Sequence, residues 1–198
     1  MKILLAEDQA MVRGALAALL RLNSQHEIIE AADGDAAFKL LKEQSFDVLL
    51  TDIEMPGRSG LDLAAYVQQQ QLPQKVVIIT TFGRSGYIRR ALDCGVSGFL
   101  LKDAPIEDLL AALDKVLTGK RVIDSELALL ALGEQDPLTD KERRALRLAA
   151  DGKTTAEIAS LLFIAEGTAR NYLSEAIAKL NATNRVDAAR IAQQKGWL

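Results

Sequence analysis

Five strand-length apolar runs, each closing on a polar or charged residue, recur through the first 120 residues: KILLAED from Lys2, HEIIEA from His26, FDVLLTD from Phe46, KVVIIT from Lys75 and SGFLLKD from Ser97. Between and after them lie patterns of helical period: AMVRGALAALLRL, GDAAFKLLKEQ, LDLAAYVQQQ, YIRRALDCG and IEDLLAALDKVLTG. Strands that alternate with helices and carry near-continuous Val, Ile and Leu need cover on both faces. Right-handed crossovers then make a parallel, doubly wound α/β sheet of five strands over residues 1–120.

The rest of the chain follows another rule. RVIDSELALLALGEQDP reads as a helix followed by a hinge, so residues 121–136 are expected to be a linker. From residue 137 to 198 no strand pattern remains. TDKERRALRLAA is opened by Thr139 or Asp140 as N-cap, TTAEIASLL by Thr154, and GTARNYLSEAIAKL and RVDAARIAQQKG complete an all-helical module. The net charge of −3 hides an asymmetry: residues 1–120 hold 13 Lys+Arg against 16 Asp+Glu, whereas residues 137–198 hold 10 against 7. The helical tail is therefore the basic part, although its excess is small.

With 49% hydrophobic residues the chain has enough apolar surface to fold. No run approaches the roughly 18 apolar residues of a membrane span, and Glu7 and Asp8 interrupt what would be a signal peptide, so a soluble, cytoplasmic protein with no membrane partner is expected. Cys94 and His26 are the sole cysteine and histidine. Together they leave no intrachain disulfide, too few soft ligands for a structural zinc and little room for a Ser-His-Asp triad. His26, in NSQHEII, reads as a surface loop residue.

Ligands of doubly wound sheets bind beyond the carboxyl ends of the strands, where strand order reverses. Glu7 and Asp8 follow the first strand, Asp52 ends the third, Thr80 the fourth and Lys102 the fifth. In the order 2-1-3-4-5 three carboxylates then meet at the switch point. Such a group must raise a pKa or recruit a cation, and hard oxygen ligands suit Mg²⁺. A carboxylate beside Mg²⁺ is a nucleophile toward a phosphoryl group, which makes an aspartyl phosphate the natural product, with Lys102 and the Thr80 hydroxyl on its remaining oxygens.

In the tail, TTAEIASLLFIAEGTARNYLSEAIAKL supplies two helices and a short turn. Ile158, Ala159 and Leu162 are positioned to pack against Ala169, Leu173 and Ile177, leaving Arg170, Asn171 and Ser174 outward. Arg170 suits guanine or phosphate, Asn171 suits adenine, and Thr168 and Lys179 suit phosphates. On these residues alone a plain helical bundle is an equal alternative.

AEDQ, LLTDIEMPGRSGLDL, VIITTF and GFLLKD resemble the receiver domain of two-component response regulators, with its flavodoxin-like fold. The resemblance implies that Asp52 is the phosphoacceptor, Glu7 and Asp8 the Mg²⁺ pair, Glu54 a ligand through its backbone carbonyl, Thr80 the switch hydroxyl and Lys102 the phosphate-binding lysine. Met55-Pro56-Gly57 resembles the turn shaping the floor of that site. Phe99 stands where the family has an aromatic switch, and without a hydroxyl it either swings inward or is ordinary core. Glu54 and Phe82 fall where receivers tune dephosphorylation. LTDKERRAL, GKTTAEIASLL, GTARNYLSEAIAKL and NRVDAARIA resemble, in order, the four-helix DNA-binding domain of the LuxR/NarL/FixJ class, with Ala169 where Val is common and Asn171-Tyr172 where a variable residue and His often stand.

Together these motifs resemble NarL/FixJ-type transcription factors, and TTFGRSGYIRRALDCGVSGFLLKD is most similar to regulators serving membrane-lipid or cell-envelope sensing kinases. The resemblance implies a sensor histidine kinase as phosphate donor, promoter DNA as target, a homodimer on phosphorylation, and RNA polymerase as a further partner. It implies a regulator rather than an enzyme. Met11, Ile106, Leu110 and Leu113 on the receiver, and Val186 and Ala189 on the last helix, are the candidate dimer contacts. The rival readings are a haloacid-dehalogenase-like phosphohydrolase, which would want Asp where Glu54 stands, and a receiver that is never phosphorylated.

Overall fold

Every apolar run of the first 120 residues becomes a strand. A computed structural model describes residues 1–22, 26–81, 84–131 and 136–198, and the chain divides after residue 132 into two units. In the first, β1 (Lys2–Ala6), β2 (Glu27–Ala31), β3 (Val48–Thr51), β4 (Lys75–Thr80) and β5 (Gly98–Leu101) alternate with α1 (Ala10–Leu22), α2 (Gly34–Glu43), α3 (Gly60–Gln69) and α4 (Ser85–Asp93), and α5 (Ile106–Leu117) follows. All strands are parallel. The sheet has the order β2-β1-β3-β4-β5-β6, so a sixth strand, β6 (Val122–Ile123), joins the five expected.

That strand lies within the stretch read as linker. Two residues are too short for a period to show in sequence, and what makes them a strand is the free edge of β5, against which Val122 pairs with Gly98 and Ile123 with Phe99. The helix expected in the same stretch is α6 (Ser125–Ala131); the hinge expected after it lies mostly outside the described residues.

Side-chain alternation along the strands separates two apolar layers. Ile3 and Leu5 of β1 face Ala17 and Leu20 of α1 and Leu109, Leu113 and Val116 of α5. Leu4 and Ala6 face the layer built with Leu41 of α2, Leu61 and Leu63 of α3 and Ile88 of α4. Leu113 is fully buried there, which corrects its reading as a dimer contact: it sits on the face of α5 that closes the sheet. Phe99 is fully buried as well, in the α2–α4 layer, so of its two readings the structure favours core. His26 is half-buried rather than a free surface residue.

The second unit is helical: α7 (Asp140–Ala150), α8 (Thr155–Leu162), α9 (Glu166–Lys179) and α10 (Arg185–Gln194). Local chemistry sets their starts. The Thr139 hydroxyl accepts from the Glu142 amide while Glu142 reaches back to the Thr139 amide, and Thr154 with Glu157 repeats this capping box, so Thr139 and not Asp140 caps α7. Ile158, Ala159, Ala169 and Leu173 share one core, with Leu162 and Ile177 against it. Ala189 belongs to that core too and is 4% exposed, which corrects its reading as a dimer contact: on α10 it points inward while Val186 points out. Among the described residues no helix is long and apolar enough to cross a membrane.

Candidate functional site

Strand register decides which polar groups meet. Ala6 pairs with Thr51 and Thr80 with Leu101, so the residues that follow β1, β3 and β5 emerge at the same edge as the end of β4. Glu7, Asp8 and Asp52 each bring a carboxylate oxygen within 4.8 Å of the others. The Lys102 ammonium donates to Asp52 Oδ2 at 2.8 Å and lies 2.7 Å from Glu7 Oε2. Glu7 is fully buried, and Asp52 and Thr80 are nearly so.

The backbone holds this cluster from several sides. The Ile53 amide donates to Asp52 Oδ1 at 2.7 Å, and the Thr51 hydroxyl donates to the Asp52 carbonyl at 2.8 Å. Gly60 opens α3 so close to that carbonyl that a Cβ there would lie 2.0 Å from it, hence no other residue fits without moving the loop. Arg13 of α1 donates to the Glu7 carbonyl at 2.7 Å and fixes the turn after β1. Thr139-style capping also opens α3, through Ser59 and Asp62.

Electrostatics follow from burial. Burial pushes the Asp52 and Glu7 carboxyls above their ordinary values, against the lowering influence of Lys102. Burial also works against the Lys102 ammonium, but its bonds to Asp52 and Glu7 outweigh this and hold it above the ordinary lysine value. Asp8 Oδ1 is buried with no hydrogen-bond partner among the described residues. An anionic oxygen left so beside two other carboxylates fits a divalent cation, with Glu7, Asp8 and Asp52 as hard donors.

Beside the cluster opens a cavity of about 230 Å³, lined by Asp8, Gln9, Asp52, Glu54, Thr80, Thr81 and Tyr87. The Glu54 side chain is exposed and accepts a 2.8 Å hydrogen bond from the Tyr87 hydroxyl of α4. Sequence reasoning missed Tyr87, Gln9 and Arg13. Tyr87 sits among the apolar residues of YIRRALD, where an aromatic reads as core, and Arg13 acts on a carbonyl, which no motif records. Phe82 lies outside the described residues.

In the helical unit Arg170, Asn171 and Ser174 are exposed along α9, as expected of a groove-facing surface, and Thr168 is half-buried. Arg170 lies 2.9 Å from Glu166, one turn earlier on the same helix. Lys179 departs from expectation. Its ammonium donates to both carboxylate oxygens of buried Glu142, at 2.9 and 2.8 Å, tying α9 to the start of α7. The side chain read as a phosphate contact is thus committed to the core of its own unit. Of the candidate dimer contacts, Met11 is 85% and Val186 69% exposed, and Ile106 and Leu110 are half-buried. Ile106 also lines an apolar cavity of about 150 Å³ with Val12, Leu16 and Leu19 of α1.

Comparison with known proteins matches residues 3–114 to the response regulator receiver domain and residues 136–192 to the bacterial regulatory proteins of the luxR family. The uncharacterized transcriptional regulatory protein YvfU of Bacillus subtilis is 46% identical over 198 residues, which cover 100% of this chain and 99% of that one. The transcriptional regulatory protein DesR of the same organism is 44% identical over 98% of each chain. Among solved structures, two RcsB dimers bound to two parallel DNAs give a TM-score of 0.64 at 25% identity, over 98% of both chains.

Proposed function

We propose, since the chain belongs to the response regulators that join a receiver domain to a LuxR-family DNA-binding domain, that phosphorylation of Asp52 is the switch that brings it to promoter DNA. The protein is a DNA-binding transcriptional regulator of the two-component type. One observation carries the switch: three carboxylates and Lys102 converge beside a cavity that ends at Thr80.

A sensor histidine kinase is the phosphate donor in this reading. An Asp52 oxygen attacks phosphorus as the bond to the kinase histidine breaks, and the histidine keeps a proton. Glu7, Asp8, Asp52 and the Glu54 carbonyl would hold Mg²⁺, which when bound supplies positive charge beside the phosphoryl oxygens. Lys102 now pairs with Asp52, and once that carboxylate is esterified its charge is available to a phosphoryl oxygen. The Thr80 hydroxyl, at the end of β4 and on the cavity wall, hydrogen-bonds another. Loss of autophosphorylated charge by hydrolysis is incidental to a regulator, not its purpose.

Residues 1–120 form the receiver, 137–198 the DNA-binding domain, and the linker begins after β6. Met11, Ile106 and Leu110 on the receiver, and Val186 on α10, are the surfaces through which two copies pair, so that two α9 helices reach adjacent half-sites with Thr168, Arg170, Asn171 and Ser174. The DNA-bound dimers of RcsB support this arrangement by analogy of fold. The setting is the cytoplasm, with RNA polymerase as the downstream partner.

The test compares the parent with Asp52→Ala, each with Mg²⁺ and with or without acetyl phosphate, by size-exclusion and promoter-fragment binding. Acetyl phosphate is expected to shift the parent toward a dimer and to tighten its binding, leaving the variant unchanged. A parent that ignores the phosphodonor removes the switch.

A further inference from the structure

The acceptor site contains an aromatic hydroxyl that the receiver motifs do not account for. Phe99 has none and is sealed in the core. Tyr87 of α4 has one, and it lies on the cavity wall with Asp52 and Thr80. Its partner is the Glu54 carboxylate at 2.8 Å, and the two residues differ sharply in setting: Tyr87 is 7% exposed, whereas Glu54 stands on the solvent side. The bond therefore joins the loop after β3 to α4 at the outer rim of the cavity. It holds an anionic group where solvent enters.

We propose that Tyr87 is a positioning residue that acts through Glu54 to prolong the life of the acyl phosphate on Asp52. The inference rests on the phosphorylation read above. Hydrolysis requires a water oxygen to bond phosphorus from the side opposite the Asp52 oxygen. As that bond forms, the bond from phosphorus to Asp52 breaks, Asp52 leaves as a carboxylate, and both water hydrogens depart on dihydrogen phosphate. The side opposite Asp52 is the open side of the cavity, where Glu54 stands. Anchored by Tyr87, the Glu54 carboxylate obstructs the approach and keeps its lone pair engaged with the hydroxyl rather than with an attacking water. Without the anchor the side chain regains its rotamers, and it leaves the rim open or accepts a proton from water.

The test follows decay of the phosphorylated full-length chain by intact mass after the phosphodonor is removed, in Mg²⁺ buffer. Tyr87→Phe, which keeps the ring and drops the oxygen, is expected to shorten the lifetime roughly three-fold to ten-fold, the range set by one hydrogen bond to a charged group. Glu54→Ala should shorten it similarly, and Tyr87→Phe should then add nothing in the Glu54→Ala background. A merely structural role predicts instead that Tyr87→Phe acts alike in both backgrounds and in step with a lowered melting temperature. Parent-like decay in Tyr87→Phe, slower decay, or additive effects overturns the inference while leaving Asp52 phosphorylation intact. A parent that gains no phosphoryl group overturns both.

Discussion

Replacing Lys102 with Met keeps most of the stem and removes the one cation that touches both Glu7 and Asp52 among the described residues. At 2.7 and 2.8 Å, each contact amounts to about 6 kcal/mol of Coulomb attraction at an effective dielectric of roughly 20. Desolvation of a lysine only 10% exposed offsets much of this, so the net loss on breaking the pair is about 3–5 kcal/mol. For a unit of this size that lowers the melting temperature by on the order of 10–20 °C. The pH dependence has a definite sign. Glu7 and Asp52 already hold their protons more tightly folded than unfolded because they are buried. Stability therefore falls as pH rises from the ordinary carboxylate range through their folded values. Without Lys102 those folded values move further up and the window widens. The deficit of Lys102→Met is expected to be small near pH 5 and large at pH 8, and Mg²⁺ should narrow it. Thermal denaturation of the full chain without Mg²⁺ reads this directly. A variant that melts with the parent at pH 8, or a deficit larger at pH 5, refutes the reasoning.

Two further outcomes concern the helical unit. Glu142 has its carboxyl held down: burial opposes this, but the Lys179 ammonium and the Thr139 amide and hydroxyl outweigh it. Its contribution is present above the unfolded value of about 4.3 and is lost as pH falls below it, so Glu142→Gln should weaken the acid-side dependence of that unit's melting, measured between pH 3 and 7. In DNA binding, Arg170→Ala and Asn171→Ala should each cost roughly 1–3 kcal/mol at a specific promoter with the fold preserved. Lys179→Ala should act mainly on melting temperature, since its ammonium is engaged with Glu142.

The sheet and its site were legible because their causes are local and repeated. A buried strand must be apolar, a polar residue must follow where it leaves the core, and parallel order sends all such residues to one edge; Glu7, Asp8, Asp52, Thr80 and Lys102 are placed by that logic alone. The helix starts at Thr139 and Thr154 were legible for the same reason, since a capping box is written in four residues. What escaped depends on a partner distant in sequence. β6 exists because β5 has a free edge, Leu113 and Ala189 are core because of which helix face meets its neighbour, and Lys179 is withdrawn because Glu142 lies 37 residues away and opposite it. The bond from Tyr87 to Glu54 is of this kind too.

The most direct measurement is mass. The full chain, incubated with Mg²⁺ and acetyl phosphate and then trapped with borohydride, is digested and mapped. A modification confined to the peptide carrying Asp52, and absent from Asp52→Ala, is the predicted result. An unmodified parent, or the same modification on another peptide in the variant and the parent alike, contradicts the claim that these buried carboxylates are built to carry a phosphoryl group on Asp52.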